Sequence, residues 1–383
     1  MNFFDSCRNA LPADQHAQRV DAFTRFEASG WPTPELESWH YSDWSSLAEQ
    51  AFTVAKPALD PGFAFDRVQP LPLVALDPVQ IATGFALDPL NRAFAKQGVD
   101  KTIDGHARTP FLITHALAGT QTMRHLRHRL RLSAGAKATV VIWDAPGAGE
   151  GDTLLTAVLT LTLAAGSQLT LIRVQDADAR ATRALHLGAH IAADATLEMI
   201  QLDFGGARVR QETEITLAAP GARFEQTGLT ALTGKSRVDQ RSHVWHAAPR
   251  CTSRSSARLI AAAASRAILN AKVQVLAGAA KTDSETRIAS LLLSDKAEID
   301  AKPELEIYAD DVQCAHGATF GQLDEDAAFY LRSRGLSSTE AQALLTQAFA
   351  QAALDRVPLP GLKDWAEQRV SSLLMASVPV VAP

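Results

Sequence analysis

Between Leu132 and Leu229 one pattern recurs four times: an apolar residue, two small residues, a turn residue, then a run of β-formers. The copies are LSAGAKATVVI, LAAGSQLTLIRV, IAADATLEMIQL and LAAPGARFEQTGL, and Gly135, Gly166, Asp194 and Gly221 mark their turns at spacings of 31, 28 and 27 residues. LIAAAASRAIL and LLLSDKAEIDA repeat the pattern more faintly downstream. A strand–turn–strand unit of this length cannot bury its apolar side alone, so it must stack on its neighbours in a solenoid or array. Helical repeats of similar length need a 3.6-residue period inside each copy, whereas residues 139–143, 159–163, 169–174 and 197–202 show period two or continuous apolar runs. Propeller blades need about 40–45 residues. The expectation is therefore an all-β core folded as a parallel β-helix. Each coil lays a short strand on the previous one, and small corner residues let the coils approach closely.

The flanks read differently. Residues 10–30 have a helical pattern, with Pro12 at a first-turn position, Val20, Phe23 and Phe26 on one side, and Gly30 as the stop. Trp31, Trp39 and Trp44 fall within fourteen residues and suggest a small satellite core. Six prolines from Pro57 to Pro89 imply turns and extended pieces, and residues 88–97 one short helix closed by Gly98. Beyond Phe320, Asp324 is placed to cap a helix that Gly335 ends, and Ser337 with Glu340 forms a capping box. Leu344, Leu345, Ala348, Phe349 and Ala352 predict one apolar face of the following helix; Leu362, Trp365, Val370, Leu373 and Leu374 predict that of a last one, before a frayed tail, SVPVVAP. The chain divides into a helical and irregular N-terminal region (1–108), the β-helix core (109–320) and a helical C-terminal region (321–383).

Charge and motifs exclude several function classes. Lys+Arg is 37 against Asp+Glu 42, and aromatics are 6%, so neither a broad basic surface nor a stacking platform for nucleic acid is expected. The longest apolar stretch, residues 154–165, is interrupted by threonines and far short of the roughly 20 residues of a membrane span. MNFFDSCRNA has no basic n-region and no long apolar run, so a soluble, cytoplasmic protein is expected. Three scattered cysteines, Cys7, Cys251 and Cys314, rule out a disulfide framework or a four-thiolate site within the chain. GLTALTGKS places five residues between Gly228 and Gly234 where a phosphate-binding loop needs four. The near pairs His125/His128, His186/His190 and His243/His246 lie in strand-like sequence. There a four-residue separation is about 13 Å, too far for one ion, and surface or corner histidines are expected.

One stretch is chemically denser. Glu304, Glu306, Asp310, Asp311, Cys314 and His316 crowd into residues 304–316. Cys314 and His316, one residue apart, share a side of any strand, and both are good ligands for iron or zinc. Two ligands do not close a site, so a metal would require donors from a partner chain. From the residues alone, a half-site for metal and a satisfied end of the solenoid both stand.

Residues 300–337, DAKPELEIYADDVQCAHGATFGQLDEDAAFYLRSRGLS, closely resemble the signature of the SufD family, subunits of the SufBCD iron–sulfur cluster assembly complex. Val238-Asp239-Gln240-Arg241 and Ala280-Lys281-Thr282-Asp283 sit where that family has its VD…H and KTD segments. WPTPELESWHYSDWSSL is similar to its LPT…E.WKYT.L motif, with His40 replacing the usual lysine. The resemblance is strong over residues 235–350 and weaker over 50–230. It implies a right-handed parallel β-helix between helical regions, pairing with the paralogue SufB through the β-helices and docking of the SufC ATPase on the C-terminal helices. It further implies a non-catalytic scaffold role in which ATP-driven SufC dimerisation reshapes the SufB–SufD interface where a cluster assembles. The interface histidine falls on His316 and the nearby thiol on Cys314, as transient metal ligands shared with SufB. The SufC-docking segment falls on Phe329, Tyr330, Leu331, Arg332, Arg334, Gly335 and the helix after them. No stably bound cofactor is implied, only the transient iron–sulfur cluster. The sulfur-accepting cysteine and most cluster ligands are implied to belong to SufB. Cys7 and Cys251 receive no role.

Two alternatives stand beside this reading: a SufB-like paralogue, from which the CAHGAT and YLRSRG wording differs, and a stand-alone β-helix enzyme acting on carbohydrate. The latter needs paired carboxylates and usually an aromatic sugar platform, and aromatics are sparse in the repeats. In the absence of SufB the sequence leaves a homodimer open. Because its one GKS lacks phosphate-loop spacing, the purified chain is expected to hydrolyse no ATP; turnover abolished by Lys235→Ala would overturn this.

Overall fold

Two strands and two corners make each coil. The computed structural model describes residues 3–8, 10–13, 16–55, 65–76, 83–117, 119–146 and 151–376; the tail after 376 lies outside the described residues. The main strands are β1 (Phe111–His115), β2 (Thr122–Leu132), β3 (Lys137–Asp144), β4 (Thr153–Leu163), β5 (Gln168–Gln175), β6 (Ala181–Ile191), β7 (Thr196–Asp203) and β8 (Arg208–Leu217). They continue as β9 (Arg223–Leu232), β10 (Arg237–His246), β11 (Thr252–Ala261), β12 (Arg266–Val275), β13 (Asp283–Leu292), β14 (Glu298–Ile307) and β15 (Gln313–Gly321). Odd-numbered strands form one parallel sheet and even-numbered strands the other. Successive coils stack residue for residue: all eleven positions of β2 pair with β4, and all ten of β12 with β14. The result is a parallel β-solenoid of about eight turns with helices at both chain ends.

The corners explain the repeat. Gly135, Gly166, Asp194 and Gly221 all have left-handed backbones, and the series continues upward through Arg250, Lys281 and Asp311. Their amides stack on the next coil: Gly135 N–H donates to Ala165 O (3.0 Å), Gly166 to Ala193 (2.9 Å) and Arg250 to Ala280 (2.9 Å). Glycine and aspartate suit this conformation best. The two fainter copies lie at the opposite corner, joining β11 to β12 and β13 to β14. Both corners use the same small-residue turn, so the sequence pattern merges them.

Leu161, Leu163, Leu171, Leu187, Met199 and Phe224 fill the space between the sheets. The interior also holds a polar belt. Val99 N–H donates to His128 Nδ1 (3.0 Å), which leaves the His128 proton on Nε2, 3.0 Å from His115 Nε2; His115 Nδ1 in turn lies 3.2 Å from Asp144 Oδ1. Asp203 accepts from Gln211 (2.6 Å) and Gln240 (2.7 Å). Such groups hold their place because each is partnered.

Each outer face is covered by one end of the chain. On the even sheet, Met123, Leu154, Val158 and Ala184 pack against Phe3, Phe23, Phe26, Trp31, Trp39 and Trp44, so the tryptophans belong to a satellite core that leans on the outer face of the solenoid. The N-terminal helices are α1 (Phe3–Arg8) and α2 (His16–Ser29); α2 starts later than Pro12 suggests. α3 (Asp88–Phe94) also stops early, because the chain turns extended at Ala95 and residues 97–98 join the sheet. A Cβ on Gly98 would lie 1.4 Å from Arg127 O, so this glycine serves strand approach and not helix termination. Arg19, fully buried, donates to the carbonyls of Ala93 (3.0 Å) and Ala95 (3.1 Å) at the end of α3.

The odd sheet is covered by α5 (Ser338–Leu354) and α6 (Pro360–Ala376), whose Ala350, Ala353, Leu354, Leu362, Ala366 and Val370 pack on Val141, Trp143, Ile172, Val174, Ile200 and Leu229. The apolar face expected for α5 is buried only in part: Leu345 and Phe349 are half-buried, and Phe349 packs on the core. Leu344, Ala348 and Ala352 are exposed, while Ala341, Thr346, Ala350, Ala353 and Leu354 face inward. An alanine-rich helix is apolar on more than one side, so spacing alone does not select the packed face. The Ser337–Glu340 capping box is present. At the start of α6, Asp66 accepts from Gly361 N (3.2 Å) and Leu362 N (2.9 Å).

Burial holds the imidazoles of His125 at a pKa of about 3 and of His186 and His246 at about 4, and pushes His128 well below its ordinary 6.5. The unfolded chain takes up these protons near pH 6.5 and the fold does not, so stability is full above pH 6.5 and falls as pH drops toward 4. Asp203, raised to about 6, and Asp176 and Glu214, also raised, each chiefly by burial, act in the opposite sense and offset part of this. Calorimetry is expected to show a clearly lower Tm at pH 5 than at pH 7.5; an equal or higher value would contradict this assignment.

The open end of the solenoid as the candidate functional site

The two ends of the solenoid differ. At the first coil, short pieces at 53–54, 69–70, 97–98 and Asp100–Ile103 pair with β1 and β2 and cover their edges. At the last coil, no strand among the described residues pairs with the far edges of β14 and β15.

Alternation along these strands decides what the open end presents. On β14, Ile299, Ala301, Pro303, Leu305 and Ile307 continue the inward columns of Ala267, Leu269, Ala271, Val273 and Val275. Those lower residues are buried, whereas Ile307 is 44% exposed because no coil follows. Glu298 N donates inward to Ser265 O (3.0 Å) and Tyr308 N to Val275 O (2.8 Å). Amides alternate sides along a strand, so Pro303 sits where its missing N–H belongs to the free edge and no ladder bond is lost. The outward side of β14 carries Glu298, Asp300, Lys302, Glu304 and Glu306. Arg266 reaches Glu298 (3.1 Å) and Asp300 (2.8 Å), Lys302 reaches Glu304 (3.1 Å), and Lys272 reaches Glu306 (2.6 Å).

On β15, Cys314, His316, Ala318 and Phe320 stack on Ser284, Thr286, Ile288 and Ser290. The structure thus brings Cys314 and His316 to the same side of one strand, at the top of two inward columns. His316 and Phe320 are exposed, and Cys314 is half-buried against the end of the core. Beneath Cys314 runs a short polar chain, His246 Nε2 to Ser253 Oγ and Ser253 Oγ to Ser284 Oγ, each 2.8 Å. Burial, and secondarily the charge of Asp283, raise the Cys314 pKa, so at neutral pH it is a thiol. Among the described residues no three His, Cys, Asp or Glu side chains gather closely enough to hold a metal ion. Two donors at an unfinished edge are what this chain offers.

Beyond the open end, α4 (Glu325–Ser333) stands off the solenoid with none of its residues buried. Asp324 caps it as expected, accepting from Asp326 N (2.9 Å) and Ala327 N (3.0 Å). Phe329 and Tyr330 are 64% and 57% exposed, and Leu331 is half-buried. The guanidinium of Arg332 lies 6.0 Å from the Phe329 ring and that of Arg334 5.1 Å from the Tyr330 ring. Gly335 ends the segment with φ of +99°.

Other singled-out residues have structural settings. His190 is exposed as expected and His243 half-buried, but His125, His128, His186 and His246 are buried: His186 stacks on Phe85 (5.4 Å), and the His125 ring lies tilted against Phe94 (5.4 Å). Lys235 lies in a tight turn between two strands, a frame that cannot cradle phosphates. Asp239 pairs with the buried Arg210 (2.7 Å), and Lys281 with Asp311 (3.1 Å) across neighbouring corners. Cys7, its thiol pushed up to about 12 chiefly by burial, and Cys251, also raised by burial, are small core residues. The half-buried inward row of β14 was not singled out from sequence, nor was its charged outward row apart from Glu304 and Glu306, although the alternation in EIDAKPELEI carries both.

Residues 115–349 match the family described as SUF system FeS cluster assembly, SufBD core domain. The iron-sulfur cluster assembly protein SufD of Escherichia coli (strain K12) is 33% identical over 263 residues, 68% of this chain and 62% of that protein. The iron-sulfur cluster assembly SufBD family protein slr0076 of Synechocystis is 36% identical over 173 residues, 45% of this chain and 38% of its own length. Protein ABCI7, chloroplastic, of Arabidopsis thaliana is 30% identical over 183 residues, 48% of this chain and 38% of its own. The matches thus span less than two thirds of these relatives. Because Phe329 and Tyr330 stand in solvent, replacing either by alanine is expected to change stability by no more than about 0.5 kcal/mol; a larger loss in denaturant unfolding would show that they pack where the structure leaves them free.

Proposed function

The chain belongs to the SufBD core family of the SUF iron–sulfur cluster assembly system and is SufD-like, and on that premise we propose that it is a non-catalytic scaffold subunit. In this reading it pairs with SufB through the open end of its solenoid and holds the SufC ATPase on α4 and the exposed side of α5. The observation that carries the reading is the asymmetry of the two ends: one coil is closed off, and the other is left unpaired with Cys314 and His316 at its rim.

The iron–sulfur cluster is cargo here. His316 presents an exposed imidazole, whereas Cys314 must lose a proton that burial and Asp283 keep in place, so His316 leads and Cys314 follows once metal or a cation has arrived. The remaining donors would come from SufB. An incomplete ligand set holds a cluster weakly enough to pass on, as a scaffold requires. For the ATPase, Phe329 and Tyr330 offer aromatic anchors and Arg332 and Arg334 a cationic rim, continued by Leu344 on α5. A helix with no buried residue can follow a moving partner without unpacking the core. Without SufB, the open end is left to a second copy of the chain, a weaker partner than SufB. A thiol held for transient ligation suits the reducing cytoplasm.

In the SufBCD complex, His316→Ala is expected to leave assembly and ATP hydrolysis near normal and to stop cluster build-up in vivo, with Cys314→Ala doing the same or less. Iron and sulfide at the wild-type level in complexes carrying His316→Ala would sink the assignment. Tyr330→Ala is expected to weaken SufC binding several-fold by calorimetry while the Tm stays unchanged.

A further inference from the structure

The outward row of β14 bears on which solenoid can dock. A second solenoid that meets this one through its own last coil must be turned through 180° about an axis perpendicular to the solenoid. Either axis that keeps the sheets continuous reverses the strands, so the contact is antiparallel. We infer that the docking strand opposite β14 carries lysine or arginine facing Glu298, Asp300, Glu304 and Glu306, and that this row works against pairing of two copies of the present chain. The inference rests on the open end being the docking face.

Two copies cannot satisfy the row. If β14 meets β14 of the second copy with Lys302 at the centre, Lys302 faces Lys302, Asp300 faces Glu304 and Glu298 faces Glu306: every pair is of like charge. Moved to a centre at Pro303, Lys302 meets Glu304, but Asp300 meets Glu306. If β14 meets β15 instead, the outward residues opposite are Gln313, Ala315, Gly317 and Thr319, none of them cationic. Directly opposed like charges weaken a sheet pair and opposite charges strengthen it. The chain's own cations do not remove the bias: Arg266, Lys272 and Lys302 serve four carboxylates, and Arg266 is divided between two of them. Pro303 adds to it by deleting one donor from the middle of the free edge. A partner strand bearing cations gains at every carboxylate, and charge of this kind sets specificity and encounter rate more than total affinity.

The test is the double variant E304K/E306K, with E304Q/E306Q as the milder control, assayed for binding to purified SufB and for self-association by analytical ultracentrifugation. E304K/E306K is expected to bind SufB about tenfold more weakly at low salt, with the difference shrinking as salt screens it, and to self-associate more tightly, because Glu298 and Asp300 then face lysines. The glutamine variant should move both quantities the same way by less. Unchanged SufB affinity at low salt, or weaker self-association, overturns the inference. Ala318→Pro, which blocks the free edge of β15 without altering charge, separates the two levels. Since Pro303 already shows that the edge tolerates one missing donor, Ala318→Pro is expected to weaken SufB binding and not to abolish it. If SufB binds it with wild-type affinity, the open end is not the docking face, and the proposed docking mode falls together with the charge inference. If it weakens binding while E304K/E306K does not, only the charge inference is wrong.

Discussion

The parallel ladder without slip is the constraint from which the rest of the molecule follows. A shift of one residue in any pairing would turn every side chain of that strand to the other face. Here register is kept from β2 through β14, so each residue inherits its surroundings from those one coil below and above. Apolar columns become the core, a left-handed residue recurs at one corner in coil after coil, and charged columns stay outside. A ladder of this kind has no internal reason to stop. It has to be ended by something else: short strands at the first coil, and at the last a proline-bearing strand whose inward side chains have no strand above them among the described residues.

The parts legible in sequence were those governed by local periodicity. The corner spacing gave the solenoid, the capping residues gave α4 and α5, and the two-residue separation of Cys314 and His316 placed them on one side of a strand, because each depends only on neighbours in the chain. What stayed hidden depends on neighbours in space. The fainter repeats could not be assigned to the second corner, since Ala263 and Asp194 adopt the same left-handed turn. The packed side of α5 could not be chosen, since alanines line both. His125 and His186 looked like surface residues because their partners, Phe94 and Phe85, come from the N-terminal region, and His246 because its partner Ser253 meets it only across a corner. Gly98 was read as a helix stop although its smallness serves a strand 29 residues away.

The open end and α4 belong to the same design problem. Both leave large apolar groups in solvent: Ile307, Tyr308 and Phe320 on one, Phe329 and Tyr330 on the other. Such patches cost a monomer solubility and are usual where a partner surface is expected. Near the open end the exposure is tempered by Pro303 and by a row of ion-paired carboxylates. On α4 it is tempered by arginines lying beside the rings. Each device limits unspecific pairing without covering the surface.

The contact between Asp66 and the start of α6 has a consequence for how the chain is made. It joins positions 295 residues apart, through donor amides that only the finished C-terminal region can supply to the waiting Asp66 carboxylate. At about 5–20 residues per second, the ribosome takes roughly 15–60 s to deliver Gly361 after Asp66 has emerged. Throughout that interval coils can stack in order from the first, since each needs only the one before it. The segment around Asp66 and the odd sheet's outer face, by contrast, await helices not yet translated. Growth along the solenoid is therefore vectorial, while the closing of its side is a single late event that spans the length of the protein.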